Sequence, residues 1–167
     1  MLTLPVIIER PPQPYVAVRA SVPMNDMVPS IDRAFTTLYA WLGRNGIEPA
    51  GAAFFKYNLI DMAGLMEIEF AAPVGGAVEV EGDDPVVSGT LPSGRYAQVT
   101  WTGPYAPLMD VNAVLIGWAK EKGLRWDMDE TAAGNRFAAR VEIYENNPRE
   151  VADPNDLITT VAIRLAD

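Results

Sequence analysis

Glu142 stands at the centre of Phe137–Pro148, FAARVEIYENNP, with Arg140 two residues before it and Tyr144 two residues after. The alternation Arg140-Val141-Glu142-Ile143-Tyr144 suits a strand with one face buried. Val141 and Ile143 then share one face, and Glu142 shares the other with Arg140 and Tyr144. A carboxylate in mid-strand among aromatics is either a solvated outer residue or an internal charge. An internal one has two chemical uses. It compensates a bound cation where water is excluded, or, with a raised pKa, it moves a proton as general acid or base. Glu67, in Met66–Ala71 (MEIEFA), poses the same choice. A second buried carboxylate close to the first would raise at least one pKa by repulsion.

Composition removes many alternatives. The 167 residues contain no histidine, so a Ser-His-Asp triad, a histidine zinc site and a histidine base are impossible. With no cysteine there is no disulfide or thiol chemistry, which favours a reducing compartment and a cytoplasmic location. No P-loop or glycine-rich dinucleotide fingerprint occurs, and no cofactor is expected. The acidic run Asp127-Met128-Asp129-Glu130 suggests calcium only superficially. Ala132 stands where a calcium loop needs glycine and Ala138 where it needs glutamate, so no metal site is expected. A net charge of −9 and a pI near 4.5 argue against direct nucleic-acid binding and suit cationic ligands. The N-terminus lacks the basic segment of a signal peptide, and no apolar run is long enough to span a bilayer.

The elements that would position Glu142 follow from periodicity. Tyr15–Val22 reads as a strand after the breaker Arg10-Pro-Pro-Gln-Pro14. Ile31, Phe35, Leu38 and Leu42 recur at helical spacing, with Asn25 or Asp26 as cap and Asn45-Gly46 as stop. Phe54–Leu59 and Met66–Ala71 read as two strands, and the acidic, glycine-rich Gly75–Pro85 as a linker. The pattern then restarts. Val86–Thr90 is apolar, Tyr96–Thr102 is a strand, and Leu108, Val111, Leu115 and Trp118 mark a helix that Gly123 ends. Asp127–Asn135 is polar, and Phe137–Glu145 and Leu157–Leu165 close the chain as strands.

This restart reads as an internal duplication, with a first unit of about 1–74, a linker of about 75–85 and a second unit of about 86–167. Tyr15-x-x-Val18 and Pro23 match Tyr96-x-x-Val99 and Pro104 at an offset of 81. Trp41-x-x-x-x-Gly46 matches Trp118-x-x-x-x-Gly123 at an offset of 77, and Glu67-Ile68 with Pro73 matches Glu142-Ile143 with Pro148 at an offset of 75. Each match alone is weak; their common order carries the argument. The expected fold is one α+β domain of two strand–helix–strand–strand units, paired about a pseudo-two-fold axis with a ligand groove between them. The duplication makes Glu67 the partner of Glu142.

With these segments in place, the chain resembles the GyrI-like small-molecule-binding domain, found in effector-binding parts of multidrug-sensing transcription regulators and as stand-alone proteins. The resemblance rests on Leu91-Pro-Ser-Gly94 with Tyr96, Trp101-Thr-Gly-Pro-Tyr105, Val141-Glu-Ile-Tyr144 with Asn147-Pro148, and Thr159-Thr-Val-Ala-Ile163. Members often have histidine where this chain has Trp101, so no histidine role carries over. The resemblance implies that Glu142 is the charge at the base of an aromatic pocket for lipophilic cations. Its walls would be Tyr57, Trp101, Tyr105 and Tyr144, with Tyr39 and Trp126 as further candidates and Glu67 flanking the cleft. Each aromatic contributes ~0.5–2 kcal/mol through cation–π attraction. Trp41 and Trp118 read as core.

Three functions follow from the resemblance. The first is a stand-alone protein that senses or sequesters amphipathic, cationic aromatic compounds. On that reading the two units consume the chain, and any regulation of transcription runs through another protein. The second is a hydrolase of strained cyclopropane-containing natural products, with Glu142 as general acid or base and Tyr105 or Tyr57 as hydrogen-bond donor. The third is a protein-interaction module akin to a gyrase inhibitor.

Overall fold

The computed structural model describes residues 1–61 and 63–167. The alternating segments become β1 (Val6–Arg10), β2 (Gln13–Pro23), β3 (Phe54–Ile60), β4 (Leu65–Pro73), β5 (Val87–Leu91), β6 (Gly94–Thr102), β7 (Met128–Thr131), β8 (Gly134–Phe137), β9 (Arg140–Tyr144) and β10 (Ile158–Arg164). The two segments of helical period become α1 (Met27–Arg44) and α2 (Leu108–Glu121). The fold is α+β. No helix among the described residues is long and apolar enough to cross a membrane.

The sheet is antiparallel, in the order β1-β6-β10-β9-β3-β4-β2-β5, with the β7–β8 hairpin attached to β3. Only Pro11-Pro12 separates β1 from β2, and only Pro92-Ser93 separates β5 from β6. Each pair nevertheless stands near opposite ends of the strand order, so the sheet must curl to bring its ends together. Leu91 of β5 accordingly shares an apolar cluster with Tyr96 of β6 and Ala162 of β10.

The order is palindromic, and the register shows how closely the halves correspond. Val6 pairs with Gln98 and Arg10 with Gly94, while Val87 pairs with Ala17 and Leu91 with Gln13. These are the same pairings displaced by 81 residues, so each half completes its sheet with a strand from the other. The helix ends also correspond. Gly46 (φ 63°) and Gly123 (φ 67°) each close a helix in the left-handed region that favours glycine. Their amides bond Gly43 O and Lys120 O, and the next residues' amides bond Leu42 O and Ala119 O.

The third sequence match does not correspond in space. Glu67 lies on β4, which the palindrome relates to β10, whereas Glu142 lies on β9, which it relates to β3. Ser21 pairs with Glu67 and Thr102 with Ile158, so Ile158 is the counterpart of Glu67. Phe55 pairs with Phe70 and Glu142 with Val161, so Phe55 is the counterpart of Glu142. The two Glu-Ile pairs resemble each other because both are alternating strand sequence, a period every strand shares.

Before the N-terminal prolines, Val6–Arg10 forms an edge strand, β1. Two further readings are refined. Asp127–Asn135 contributes to the hairpin β7–β8. The stretch read as one strand from Phe137 is broken, with Phe137 ending β8 and Arg140 starting β9.

Both helices lie on one face of the sheet. Leu38, Trp41 and Leu42 of α1 are buried with Val16 and Ala72, and Ala34 with Val22 and Phe70. Val111 and Leu115 of α2 are buried with Val99, Val161 and Ile163. Trp41 is core, and Trp118 packs partly buried against the α2 cluster.

Candidate functional site

Between α1 and α2, above the β3–β9 seam, the sheet leaves a cavity of about 1290 Å³. Ile31, Phe35 and Tyr39 recur at spacings of four along α1, so helical geometry turns them to the cavity together. Leu108, Met109 and Asn112 of α2 form the facing wall, and Tyr105 lies just before that helix. The floor comes from the strands. Phe55 and Tyr57 of β3 and Arg140, Glu142 and Tyr144 of β9 alternate onto this face. Val141 takes the other face and joins an apolar cluster, with Ile143 packed against it.

Phe55 and Glu142 pair directly across the seam, so the pseudo-two-fold axis passes between them. Tyr57 pairs with Ile68 and Tyr144 with Thr159, which makes the two tyrosines counterparts that approach one carboxylate from opposite halves.

Glu142 is only 8% exposed. The Tyr144 hydroxyl donates to its Oε2 at 2.9 Å and Asn112 Nδ2 donates to its Oε1 at 3.2 Å. Asn112 is itself oriented by donating to Leu108 O at 2.9 Å and by accepting from Arg140 Nη2 at 3.1 Å. Burial pushes the Glu142 carboxyl above its ordinary value. The bonds from Tyr144 and Asn112, with weaker help from Tyr57 and Arg140, oppose that rise without cancelling it. Burial also raises the Tyr57 and Tyr144 hydroxyls well above the usual phenol range, and the neighbouring carboxylate adds to it. Both tyrosines are therefore firm donors at neutral pH. Aromatic contacts stiffen the floor, since the Tyr144 ring meets Phe55 at 4.7 Å and Tyr105 at 5.4 Å in edge-on arrangements.

Of the residues singled out in the sequence, the structure brings Glu142, Tyr57, Tyr105 and Tyr144 together at the cavity and puts half-exposed Tyr39 at its mouth. It places Trp101, Trp126 and Glu67 elsewhere. The Trp101 indole donates to Pro104 O at 2.8 Å and packs, with Trp126, against the α2 core cluster. Gly103 follows because Trp101 leaves no room for a side chain there; an added Cβ would lie 2.6 Å from its ring. Glu67 faces the opposite side of the sheet, 3.7 Å from Arg19 and 3.8 Å from Arg136. It sits on β4, one strand further from the seam than its sequence match implied.

Sequence reasoning missed Asn112, Arg140, Phe35 and Phe55 as cavity residues. Asn112 carried a readable signal, a polar residue at helical spacing from Leu108 and Leu115 inside an apolar stripe. Arg140 shares the strand face assigned to Glu142, but its type and spacing alone give it no role at a cavity. Phe35 and Phe55 look like ordinary core residues, because nothing local distinguishes a ring that lines a cavity from one that fills it.

The chain superposes on EcmrR in its complex with DNA with a TM-score of 0.76 at 16% identity, covering 98% of this chain and 57% of EcmrR. The chain therefore spans a little over half the length of that protein. It covers 98% of the isolated EcmrR C-terminal domain, with a TM-score of 0.70 at 17% identity. SAV2435 bound to tetraphenylphosphonium matches with a TM-score of 0.65 at 11% identity, covering 98% of this chain and 94% of SAV2435. A hydrolase from Listeria innocua matches with a TM-score of 0.62 at 16% identity, covering 97% and 91%. No curated protein matches by sequence. Residues 4–166 match the GyrI-like small molecule binding domain, and the chain belongs to that family.

Proposed function

We propose that this protein holds amphipathic aromatic compounds, cationic ones among them, in the cavity between α1 and α2, with Glu142 as the main polar contact. The observation that carries this reading is a buried carboxylate on the floor of a large, aromatic-lined space. Rings on several walls accept flat molecules in more than one orientation, and a carboxylate in low dielectric attracts positive charge strongly. Broad rather than narrow selectivity follows, as suits sensing or sequestration. A neighbour of the same fold bound to tetraphenylphosphonium, a lipophilic cation, is consistent with this class of ligand.

Titration with the fluorescent cation rhodamine 6G tests the reading. Native protein is expected to bind at micromolar levels, and Glu142→Gln, still folded, to bind about tenfold more weakly, a loss of ~1.4 kcal/mol. Equal binding by both removes Glu142 from the site, and no binding by either removes the reading.

A second reading has its own observation. The raised Glu142 carboxyl beside two tyrosine donors suits a general acid–base, which supports turnover of a bound compound, with strained cyclopropane-containing compounds as the class the family resemblance implies. Turnover of such a compound, abolished in Glu142→Gln and following one raised pKa in its pH profile, would establish it.

A further inference from the structure

Arg140 stands on the floor of the same cavity, and cation binding leaves it without a purpose. Its Nη2 donates to Asn112 at 3.1 Å, and its guanidinium carbon lies 5.0 Å above the Phe137 ring. Its Nε is buried and meets no acceptor among the described residues. A guanidinium carries five N–H donors; here Nη2 is engaged by Asn112, the buried Nε–H is unpaired, which is destabilising, and the side chain is only partly buried at the cavity. The fold does not require a cation there. The register relates Arg140 to Ala53 in the other half, where a methyl group suffices.

The charge of Glu142 is also partly met already. Asn112 links the carboxylate to Arg140, and each Glu142 oxygen accepts a hydrogen bond. A ligand carrying only positive charge would gain from the carboxylate and lose against the guanidinium beside it. A ligand that also carries an anionic or strong acceptor group would satisfy both, and Arg binds planar carboxylates with two parallel donors.

We infer that Arg140 is a ligand-contacting residue, and that the cavity selects amphoteric aromatic compounds, bearing an acidic or acceptor group beside a cationic ring system, over simple lipophilic cations. The inference rests on the reading of the cavity as a small-molecule site.

Two dyes of one skeleton test it: rhodamine 6G, an ethyl ester with net positive charge, and its free acid, a zwitterion at neutral pH. Both are titrated by fluorescence anisotropy against native protein and against Arg140→Met, which keeps most of the side-chain volume. Native protein is expected to bind the free acid at least about tenfold more tightly than the ester. Arg140→Met is expected to lose that preference, binding the free acid about tenfold more weakly. The same comparison on Arg140→Gln serves if Arg140→Met does not fold. Ester binding equal to or tighter than free-acid binding in native protein overturns the inference while leaving the cavity as a binding site. A preference that survives loss of Arg140 overturns it equally. Binding of neither dye to native protein overturns the small-molecule reading itself, and this inference with it.

Discussion

At the cavity the second half contributes Asn112, Glu142 and Arg140, and the corresponding places in the first half hold Phe35, Phe55 and Ala53. Where Asn112 donates to Glu142, Phe35 stacks on Phe55 with ring centres 5.9 Å apart. On the opposite face of the sheet the polarity reverses. There the first half buries Glu69, 1% exposed, with Arg19 Nη2 donating at 2.9 Å, the Tyr15 hydroxyl donating at 2.7 Å and Lys56 Nζ forming an ion pair at 3.6 Å. The second half answers with Thr160, Thr100 and Ile143, and the two threonine hydroxyls share a hydrogen bond of 3.1 Å. One backbone plan thus carries two charge clusters on different faces and in different halves. The Glu69 carboxylate is met by Tyr15, Arg19 and Lys56 and does not line the cavity between the helices, which fits a structural role. The Glu142 cluster opens onto the cavity and leaves the buried Arg140 Nε–H unpaired, which is why it is the one proposed as the ligand site.

This contrast can be broken most sharply at Phe55. Phe55→Ala should destabilise the protein by about 3–4 kcal/mol in urea unfolding, because a buried ring of the seam is lost. Glu142→Gln at the related position should leave stability unchanged or raise it by up to ~1 kcal/mol, since it removes a desolvated charge and keeps the shape. Equal losses at both positions would mean that Glu142 supports the fold rather than the ligand.

Glu69→Gln should cost about 3 kcal/mol, because it leaves largely buried Lys56 without its counter-charge and Arg19 with Glu67 alone. Combining Glu69→Leu with Lys56→Met should recover much of that loss. Thr160→Val, at the corresponding place, should cost about 1 kcal/mol.

The two carboxylates should also oppose each other in pH dependence. Burial raises the Glu69 carboxyl, but hydrogen bonds from Arg19 and Tyr15 and the charges of Lys56 and Arg19 outweigh it and hold the group below its ordinary 4.5. Its stabilising contribution is complete above that value and is lost as pH falls through the depressed one. Glu142 is raised, so its contribution is present below 4.5 and is lost as pH rises through the elevated value. Urea midpoints from about pH 3 to pH 7 should therefore show a weaker acid decline in Glu69→Gln and a gain over native toward neutrality in Glu142→Gln.

The smallest expected difference is none at all. Gly46→Ala and Gly123→Ala should each cost about 1 kcal/mol, equal within error, because both helices end in the same left-handed turn. Unequal losses would show that the helix ends differ in ways their hydrogen bonds do not reveal.

The strands, both helices and the corresponding helix ends were legible because they rest on local signals: alternation, apolar stripes at helical spacing, and glycine stops after Trp41 and Trp118. Glu142 itself was legible through its strand face. The misplacement of Glu67, Trp101 and Trp126 has one cause. Local pattern says which residues share a face, but not which strand lies next to which. The exchange of β1 and β5 between the halves depends on pairings across roughly 70 to 90 residues, and no local sequence feature announces it.

What the sequence determined by itself was the inventory and the periods: an acidic chain without histidine or cysteine, two helices, an alternating set of strands and one carboxylate on an aromatic strand face. Only the tertiary structure decided that Phe55, and not a second glutamate, stands opposite Glu142, and that Asn112 joins it and links it to Arg140. Strand order and register place residues from distant segments within hydrogen-bond reach, and those distances set whether a buried charge is neutralised or left available to a ligand.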